Sequence, residues 1–282
     1  MRRNVTGTIV GVGILVALFF FVTGGEARSN KASDGKQAGF TVELTKKDGT
    51  KMTVTDFRID DRPGRQKLSL GMFSHNVSLE VPLSIVSSIT DNNGKVALLL
   101  GDGTTIEGTC SASFIFKSDL GKEGAACADI KAAVFKKRAA EHYAEPPAGK
   151  HSATIFLKGG KRVELAGASF LASKFDKSPK YRYPQYIGDE YPASVHFEGE
   201  ESGTFYDISW TQIGSIVPLA ERHGNADCRI LMRSGREITA WANYWWTADR
   251  IRGVVPIGNY RLFLTLRYSA APSSDYEKVE LR

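Results

Sequence analysis

The densest set of side chains suited to ligand binding lies within residues 241–246. It contains three tryptophans and one tyrosine: Trp241, Tyr244, Trp245 and Trp246. Exposed aromatic rings offer flat apolar faces, so this cluster predicts a platform for sugar rings. In a β-strand, Trp241 and Trp245 point to one side while Tyr244 and Trp246 point to the other. At most half of the cluster can therefore be exposed if the other half lies in the core. The alternative interpretation is that these large aromatic side chains fill the core.

A second candidate is the long segment 174–192, which interleaves basic and tyrosine side chains. Its candidate ligand-binding residues are Lys180, Tyr181, Arg182, Tyr183, Tyr186 and Tyr191. Loops of this length are usually functional or disordered, and tyrosine beside arginine recognises partners through stacking and cation–π contacts. The segment predicts an anionic or glycan partner. The alternative is a solvated loop that is anchored by its own tyrosines.

Catalytic chemistry has little support in the residue pattern. The histidines are scattered, and no two of them stand at metal-ligand spacing. No Gly-x-Ser-x-Gly nucleophile elbow occurs, although a Ser-His-Asp triad assembles in space and leaves no such signature. We therefore predict no catalytic residue, no metal site and no cofactor, and we favour a binding protein over an enzyme.

The three cysteines, Cys110, Cys127 and Cys228, have two interpretations. Disulfides form in oxidising compartments, and a bridge between Cys110 and Cys127 would close a short loop. Such a bridge would stabilise the fold by about 3 kcal/mol on the loop-entropy model. The alternative is that all three are small buried apolar side chains. Their spacing matches no zinc site.

The chain begins with an apolar leader that indicates export. Residues 1–3 carry two arginines, and residues 4–25 contain no ionisable side chain. A basic start, an apolar stretch and small residues after it are typical of a signal peptide, here cleaved after Ala27. A run of about 20 residues also suits a retained membrane anchor. The body is expected outside the cytosol either way, periplasmic or secreted if cleaved and membrane-anchored if not.

The bulk composition is that of a folded protein with a small basic surplus. The chain has 282 residues, of which 24% are charged and 42% are hydrophobic, and its net charge is +6. A mild positive charge suits an anionic surface but identifies no partner. The expected partner is an anionic or glycan component of the cell envelope or another envelope protein, and no nucleic acid is expected.

Apolar residues alternate with polar ones around a glycine turn at four places in the chain. The turns are Asp48-Gly49, Asp102-Gly103, Gly159-Gly160 and Ser234-Gly235. Period-two alternation on both sides of a glycine predicts a β-hairpin, and the shared offsets indicate internal duplication. The predicted fold class is all-β, with tandem duplicated β-hairpin units forming two small antiparallel barrels or sandwiches after an N-terminal hydrophobic helix.

Apolar residues at three-residue spacing follow three of these hairpins. They are Leu83, Val86 and Ile89, then Trp210, Ile213 and Ile216, and more weakly Ile130 and Ala133. This spacing predicts one helical or 3₁₀ turn before the next strand.

Domain boundaries are expected at polar and proline-rich stretches. The predicted division is a signal peptide or anchor at 1–27, a flexible linker at 28–38, a first β domain at 39–138, a linker or short helix at 139–151, a second β domain at 152–270 and a tail at 271–282. A helix that begins at Asp129 is one alternative. An edge strand through Val279 and Leu281 is another.

These patterns favour an exported, non-catalytic β-repeat protein that binds or scaffolds components of the cell envelope. The alternative function is a polysaccharide-acting enzyme of the envelope or a carbohydrate-binding protein.

Overall fold

The computed structural model describes residues 39–59, 67–74, 76–137, 145–146, 149–176, 185–199, 204–222, 225–242, 250–268 and 276–282. Within these ranges the chain is nearly all β, with 21 strands and three 3₁₀ turns, which confirms the all-β prediction. Antiparallel pairings join the strands into one large open sheet. No helix in the described ranges is long and apolar enough to cross a bilayer.

The strands form two consecutive sets. The first set is β1 (Phe40–Lys46), β2 (Lys51–Ile59), β3 (Lys67–Ser74), β4 (Val77–Pro82), β5 (Val86–Asn92), β6 (Lys95–Leu100), β7 (Thr105–Cys110), β8 (Ser113–Ser118), β9 (Gly121–Ala126) and β10 (Ile130–Lys137). The second set is β11 (His151–Leu157), β12 (Arg162–Asp176), β13 (Gln185–Glu190), β14 (Ser194–Gly199), β15 (Phe205–Ser209), β16 (Ile213–Arg222), β17 (Asn225–Met232), β18 (Glu237–Ala242), β19 (Arg250–Ile257), β20 (Tyr260–Arg267) and β21 (Tyr276–Leu281).

The four glycine turns each connect two antiparallel strands. These hairpins are β1–β2, β6–β7, β11–β12 and β17–β18. Their turn glycines have φ angles of +91°, +88°, +81° and +86°, at Gly49, Gly103, Gly160 and Gly235. Only glycine adopts such angles without steric cost. The 3₁₀ turns lie at Leu83–Ile85, Cys127–Asp129 and Trp210–Gln212, where apolar residues recur at three-residue spacing.

The two strand sets have the same order of pairing. Hydrogen-bonded neighbours in the first set run β9-β8-β2-β1-β10-β5-β6-β7-β3-β4. Those in the second set run β20-β19-β12-β11-β21-β16-β17-β18-β14-β15. Strand β13 adds to β12 as an extra element. Each strand of the first series therefore has a positional counterpart in the second.

The match includes an irregularity of the backbone. Strand β2 shifts register against β8 between Thr55 and Arg58, and β12 shifts against β19 between Ala166 and Ser169. Asp56 and Gly167 lie inside these shifts with φ angles of +54° and +59°. A bulge in the left-handed region typically bends a strand and increases its twist, and both sets have this irregularity at the same place.

The two sets meet through β4 and β20. These strands pair antiparallel, with Leu79 opposite Leu264 and Glu80 opposite Phe263. Nearby, the turn between β19 and β20 reaches the turn between β6 and β7. There the Asn259 backbone N–H donates a hydrogen bond of 2.7 Å to an Asp102 carboxylate oxygen.

The buried apolar side chains of both sets belong to one hydrophobic cluster. Along β1, Phe40, Val42 and Leu44 are buried while the residues between them are not, as period-two alternation requires. Part of the cluster is aromatic. Within it, the Phe57 ring stacks on Phe114 with ring centroids 4.8 Å apart. Offset stacking of this kind adds to the stabilisation from burial.

Two expectations about the ends of the strand sets differ from the structure. Residues 276–281 form β21, which pairs with β11 and β16, so this stretch is an interior strand rather than a frayed tail or edge. A helix that begins at Asp129 is wrong, because Ile130–Lys137 forms strand β10. Strand pairing on both sides overrides the helix propensity of alanine and lysine in β10. The leader at 1–27 lies outside the described residues, and the two barrels or sandwiches with their boundaries stay predictions.

Candidate functional site

Most of the predicted ligand-binding residues lie outside the described part of the chain. These are Lys180, Tyr181, Arg182, Tyr183, Tyr244, Trp245 and Trp246. Tyr186 and Trp241 lie on strands β13 and β18, for which only the backbone is described at these positions. Tyr191 follows β13 directly, and its side chain is described.

Tyr191 is held at the surface by a buried arginine. The Arg252 Nη1 atom donates a hydrogen bond of 2.8 Å to the Tyr191 hydroxyl. Tyr191 remains 54% exposed, whereas Arg252 is only 9% exposed. The hydroxyl is therefore fixed on the sheet while the ring stays accessible to solvent.

Arg252 carries a buried charge that two other groups compensate. Its Nη2 atom donates to the Glu80 carboxylate of β4 and forms an ion pair with it. Its guanidinium carbon lies 3.9 Å from the centroid of the Phe263 ring, in cation–π geometry. A buried charge is costly unless it is paired in this way, so Tyr191 rests on a guanidinium whose position is restrained from two sides.

The sequence around Arg252 contains a signal for this cluster. Arg252 lies on β19 between Ile251 and the run Gly253-Val254-Val255, all of which are buried. A single charge inside an apolar strand requires a partner. Its partner Glu80 is 172 positions away in the chain, so the sequence alone does not identify it.

An open cavity of about 280 Å³ lies beside strand β15. The lining residues are Phe205, Tyr206, Asp207, Ile208, Gln212, Met232, Arg236 and Ile238. The cavity therefore combines aromatic and aliphatic walls with one carboxylate, one amide and one guanidinium. Pockets of mixed composition bind ligands by apolar contact and use a few polar groups for orientation.

A histidine–aspartate pair lies at the same strand. The His196 Nδ1 atom is 2.9 Å from an Asp207 carboxylate oxygen, and the His196 ring stacks on Phe205 with centroids 4.9 Å apart. Asp207 and Phe205 are both exposed. The pairing fixes the orientation of the imidazole, as a carboxylate does for a histidine that takes part in proton transfer.

The cysteines occupy two different environments. Cys110, at the end of β7, forms a disulfide with Cys127, which begins a 3₁₀ turn. Cys228 is buried on β17, and burial raises the pKa of its thiol to about 12. Only the thiolate is a nucleophile, so we expect Cys228 to be unreactive in the folded protein near neutral pH.

A buried tyrosine pair surrounds Cys228. The Tyr276 hydroxyl donates a hydrogen bond to the Tyr268 carbonyl oxygen, which the Cys228 thiol also approaches at 3.9 Å. Burial raises the pKa of Tyr276 well above its ordinary value. Both tyrosines are fully buried, so this cluster stabilises the fold.

The described histidines and acidic groups form no recognisable metal centre. Within the described ranges, no group of three His, Cys, Asp or Glu side chains is arranged to hold a metal ion. His151 stacks on Trp210 with ring centroids 5.3 Å apart, which is a packing contact.

Comparison with known proteins gives no relative for this chain. No family model, no curated protein and no solved structure matches it.

Proposed function

We propose that this protein is an exported, non-catalytic β protein that binds or scaffolds a component of the cell envelope. Three features support the proposal: the leader at 1–27, the disulfide between Cys110 and Cys127, and the exposed Tyr191 ring, whose hydroxyl is held by Arg252. Disulfides persist mainly in oxidising compartments outside the cytosol. The shared pairing order of the two strand sets supports an origin by internal duplication.

The observation that carries the binding role is the support beneath Tyr191. Its ring is 54% exposed, and its hydroxyl accepts a hydrogen bond from Arg252. A tyrosine presented in this way loses little conformational freedom on binding, which favours affinity. Tyr191 is the last tyrosine of the segment 174–192, in which Lys180 and Arg182 alternate with tyrosines. Stacking faces beside positive charges suit an anionic glycan.

The direct test is binding of an anionic polysaccharide such as polygalacturonate, measured by calorimetry against neutral dextran. The Tyr191→Ala substitution removes the ring that Arg252 supports, and we expect the affinity for polygalacturonate to fall about tenfold or more. Tyr191→Phe keeps the ring and loses only the hydroxyl, so we expect a loss of about fivefold or less. Binding to dextran should be weaker than to polygalacturonate.

A charge-matched pair of double variants separates recognition from bulk attraction. Lys180→Ala with Arg182→Ala removes two charges from the segment, whereas Lys95→Ala with Lys158→Ala removes two exposed charges from β-hairpins elsewhere. Only the first double variant should weaken polygalacturonate binding by more than about tenfold. Equal losses of affinity in the two double variants would mean that net charge alone accounts for the binding of polygalacturonate. No binding by the unmodified protein would contradict an anionic glycan as the partner.

A second candidate function is favoured by the cavity beside β15. Its Phe205 and Tyr206 rings, with Asp207, Gln212 and Arg236, suit a neutral sugar, and the adjacent His196–Asp207 pair could transfer a proton. The test is titration with cellohexaose, followed by product analysis. Tyr206→Ala should abolish binding if the cavity takes a sugar, and His196→Gln should abolish only hydrolysis if the protein is an enzyme.

Export predicts the start of the mature chain. Cleavage after Ala27 would give a protein that begins at Arg28. Intact mass of the protein from the envelope fraction measures this directly. A full-length chain recovered from membranes would favour the anchored alternative, and a full-length chain in the cytosol would contradict export.

A further inference from the structure

We propose that strand β15 of one copy of this protein pairs with strand β9 of a second copy, so that copies associate head to tail. The proposal depends on the edges of the sheet and is independent of the ligand-binding role of segment 174–192. It identifies one partner of this protein as another copy of the same chain.

Strands β9 and β15 end the hydrogen-bonded order of the sheet. Among the described residues, β9 pairs only with β8 and β15 pairs only with β14. Their positional counterparts are β20 and β4, which pair with each other inside the molecule. The chain therefore contains one β4–β20 junction and, separately, the two strands that would form an equivalent junction. An exposed strand edge is a template for pairing with another chain.

The register of the internal junction identifies the expected partners on β15. In that junction, Glu80 lies opposite Phe263. The β14–β15 register reproduces the β3–β4 register, which puts Asp207 in the place of Glu80. The residue opposite Asp207 should therefore be the β9 counterpart of Phe263.

The same comparison identifies that counterpart on β9. In the second set, Leu266 lies opposite Ile251, which itself lies opposite Phe170 of β12. In the first set, Ala125 lies opposite Phe114, which lies opposite Ile59 of β2. Ala125 therefore takes the place of Leu266. Three positions earlier in each strand, Lys122 takes the place of Phe263.

The transferred register joins groups of complementary chemistry. Lys122 falls opposite Asp207, and opposite charges at facing positions stabilise a strand pair. Gly124 falls opposite Phe205, whose ring is 55% exposed. An aromatic ring that covers a glycine on the facing strand compensates for the missing side chain. Two independent positions therefore support the same register.

The cavity beside β15 offers a third complementary feature. In the first set, the equivalent space receives the β19–β20 turn, where Gly258 packs against Thr104 and Asp102. In the second set, the space is the open cavity of about 280 Å³. The counterpart turn, between β8 and β9, carries Leu120, which is 83% exposed. Strands β8 and β9 have six residues each against eight in β19 and β20, so Leu120 should cover the near end of the cavity.

The arrangement requires a second copy and is directional. Among the described residues, β9 and β15 do not pair with each other, and we place the complement of each on another molecule. An interface between two different patches is heterologous and produces closed rings or open chains of molecules rather than a two-fold dimer. The charged pair on β9, Lys122 and Glu123, discourages unspecific strand addition. It favours an edge that presents a carboxylate opposite Lys122.

Charge reversal tests the interface in the full chain as recovered from its native compartment. We expect concentration-dependent association of the unmodified protein in sedimentation velocity. Lys122→Asp and Asp207→Lys should each weaken association at least tenfold, with unchanged thermal midpoints. A mixture of the two single variants should associate again, because each variant keeps the intact strand that the other has lost. A symmetric β15–β15 or β9–β9 interface would not recover in this way.

The exposed leucine provides a matched control. Leu120→Ser should weaken association by about threefold to tenfold, because an apolar contact with the cavity is lost. Leu99→Ser changes a leucine that is 39% exposed on β6, away from the proposed contact, and should leave association unchanged. Equal effects of the two substitutions would contradict the place that we give to Leu120.

A disulfide trap distinguishes two copies from closure within one chain. A variant that carries both Gly124→Cys and Phe205→Cys should give a ladder of covalent multimers after mild oxidation. Monomer that is cross-linked within itself would overturn the proposal, since β9 and β15 would then meet in a single molecule. A protein that stays monomeric at every concentration would overturn it as well.

Discussion

Strands β20 and β9 occupy the same position in the two strand sets, yet only β20 lies inside the sheet. Strand β20 has the sequence YRLFLTLR and buries Leu262, Leu264 and Leu266. Strand β9 has the sequence GKEGAA and buries none of its side chains. Each of the two strands pairs with the strand before it in the chain, β9 with β8 and β20 with β19. Two very different sequences can therefore form the same ladder, because backbone hydrogen bonds hold it together.

The contrast indicates what makes a strand interior in this protein. A second neighbouring strand stabilises the fold substantially only when the strand that it covers has apolar side chains to bury. Leu266 supplies such a side chain, whereas its counterpart Ala125 is small and partly exposed. The two sets share the pairing order, and the strand that is covered within the molecule is the one with the higher apolar content.

The largest expected effect comes from making β20 more like β9. Leu266→Ala introduces the residue that β9 carries at the equivalent position, and it should lower the free energy of unfolding by about 2–5 kcal/mol. Urea denaturation measures this difference. Leu120→Ala, at a side chain that is 83% exposed, is the control and should change stability by less than about 0.5 kcal/mol. Equal effects would contradict the interior position of β20.

The chain after β9 and the chain after β20 are held in place by different bonds. After β9 the Cys127 side chain is tied to Cys110 by a disulfide, whereas after β20 the buried Tyr268 accepts hydrogen bonds from the Tyr276 hydroxyl and the Cys228 thiol. Breaking the disulfide should lower the free energy of unfolding by about 3 kcal/mol. Calorimetry with and without dithiothreitol measures the change.

The control for that measurement removes the disulfide genetically. A double variant with Cys110→Ala and Cys127→Ala should have the reduced stability already and should not respond to dithiothreitol. Cys228 should react with a thiol reagent only after unfolding, because its pKa is raised to about 12 by burial. Fast labelling of Cys228 in the native protein would contradict this packing.

The sequence predicts the local elements of this fold well. Gly49, Gly103, Gly160 and Gly235 mark turns because positive φ is costly for other residues, and period-two alternation identifies the strands beside them. These local patterns do not show which strands pair when they are far apart in the chain. Val279 and Leu281 alternate like any strand, but their partners Ile155 and Ala153 are far away in the chain, so nothing local distinguishes an interior strand from a tail.

The candidate site is less predictable for the same reason. Composition draws attention to Tyr191 as one tyrosine of a basic segment, and this requires no knowledge of the fold. Its support by Arg252 depends on Glu80, which comes from the other strand set. The cavity beside β15 joins residues from three strands and one 3₁₀ turn. Such sites depend on tertiary pairing, which periodicity does not specify.

A smaller effect is expected from two glycines in turns that differ in their surroundings. Gly235→Ala places a side chain at φ +86° in open space, which should cost about 1–2 kcal/mol of stability from backbone strain alone. Gly258→Ala adds a collision with Asp102 and Thr104 to a φ angle of +57°. Its cost should exceed that of Gly235→Ala by about 1 kcal/mol or more, since the contact between the two turns must open. Urea denaturation of both variants compares them.

Equal costs at the two glycines would show that the β19–β20 turn does not press against the β6–β7 turn. The interpretation is sharpened by Asn259, whose backbone N–H donates to Asp102. A substitution that displaces the turn at Gly258 should also break this hydrogen bond, so that Asp102 no longer contributes to stability. The two substitutions, Gly258→Ala and Asp102→Asn, are therefore expected to be non-additive.

The smallest expected effect is a pH dependence that only the first set has at its β6–β7 turn. The hydrogen bond from the Asn259 backbone N–H, followed by those from Thr104, lowers the pKa of Asp102. The equivalent position at the β17–β18 turn is Ser234, which does not titrate. A carboxyl whose pKa is lower in the folded state stabilises the fold above its unfolded pKa, which is about 3.9. That stabilisation is lost as pH falls through the lower folded pKa.

The stability of the unmodified protein should therefore fall below about pH 4, with a contribution from Asp102 of about 1 kcal/mol or less because the group is partly solvated. Asp48, Glu123 and Glu280 also have lowered pKa values, so acid destabilisation alone does not identify Asp102. The measurement is the difference in unfolding free energy between the unmodified protein and Asp102→Asn at several pH values. That difference should be largest above pH 5 and shrink toward pH 3, because protonation makes the two side chains alike. A difference that is constant with pH, or that grows in acid, would mean that the two turns are joined by packing at Gly258 and not by the ionised carboxylate.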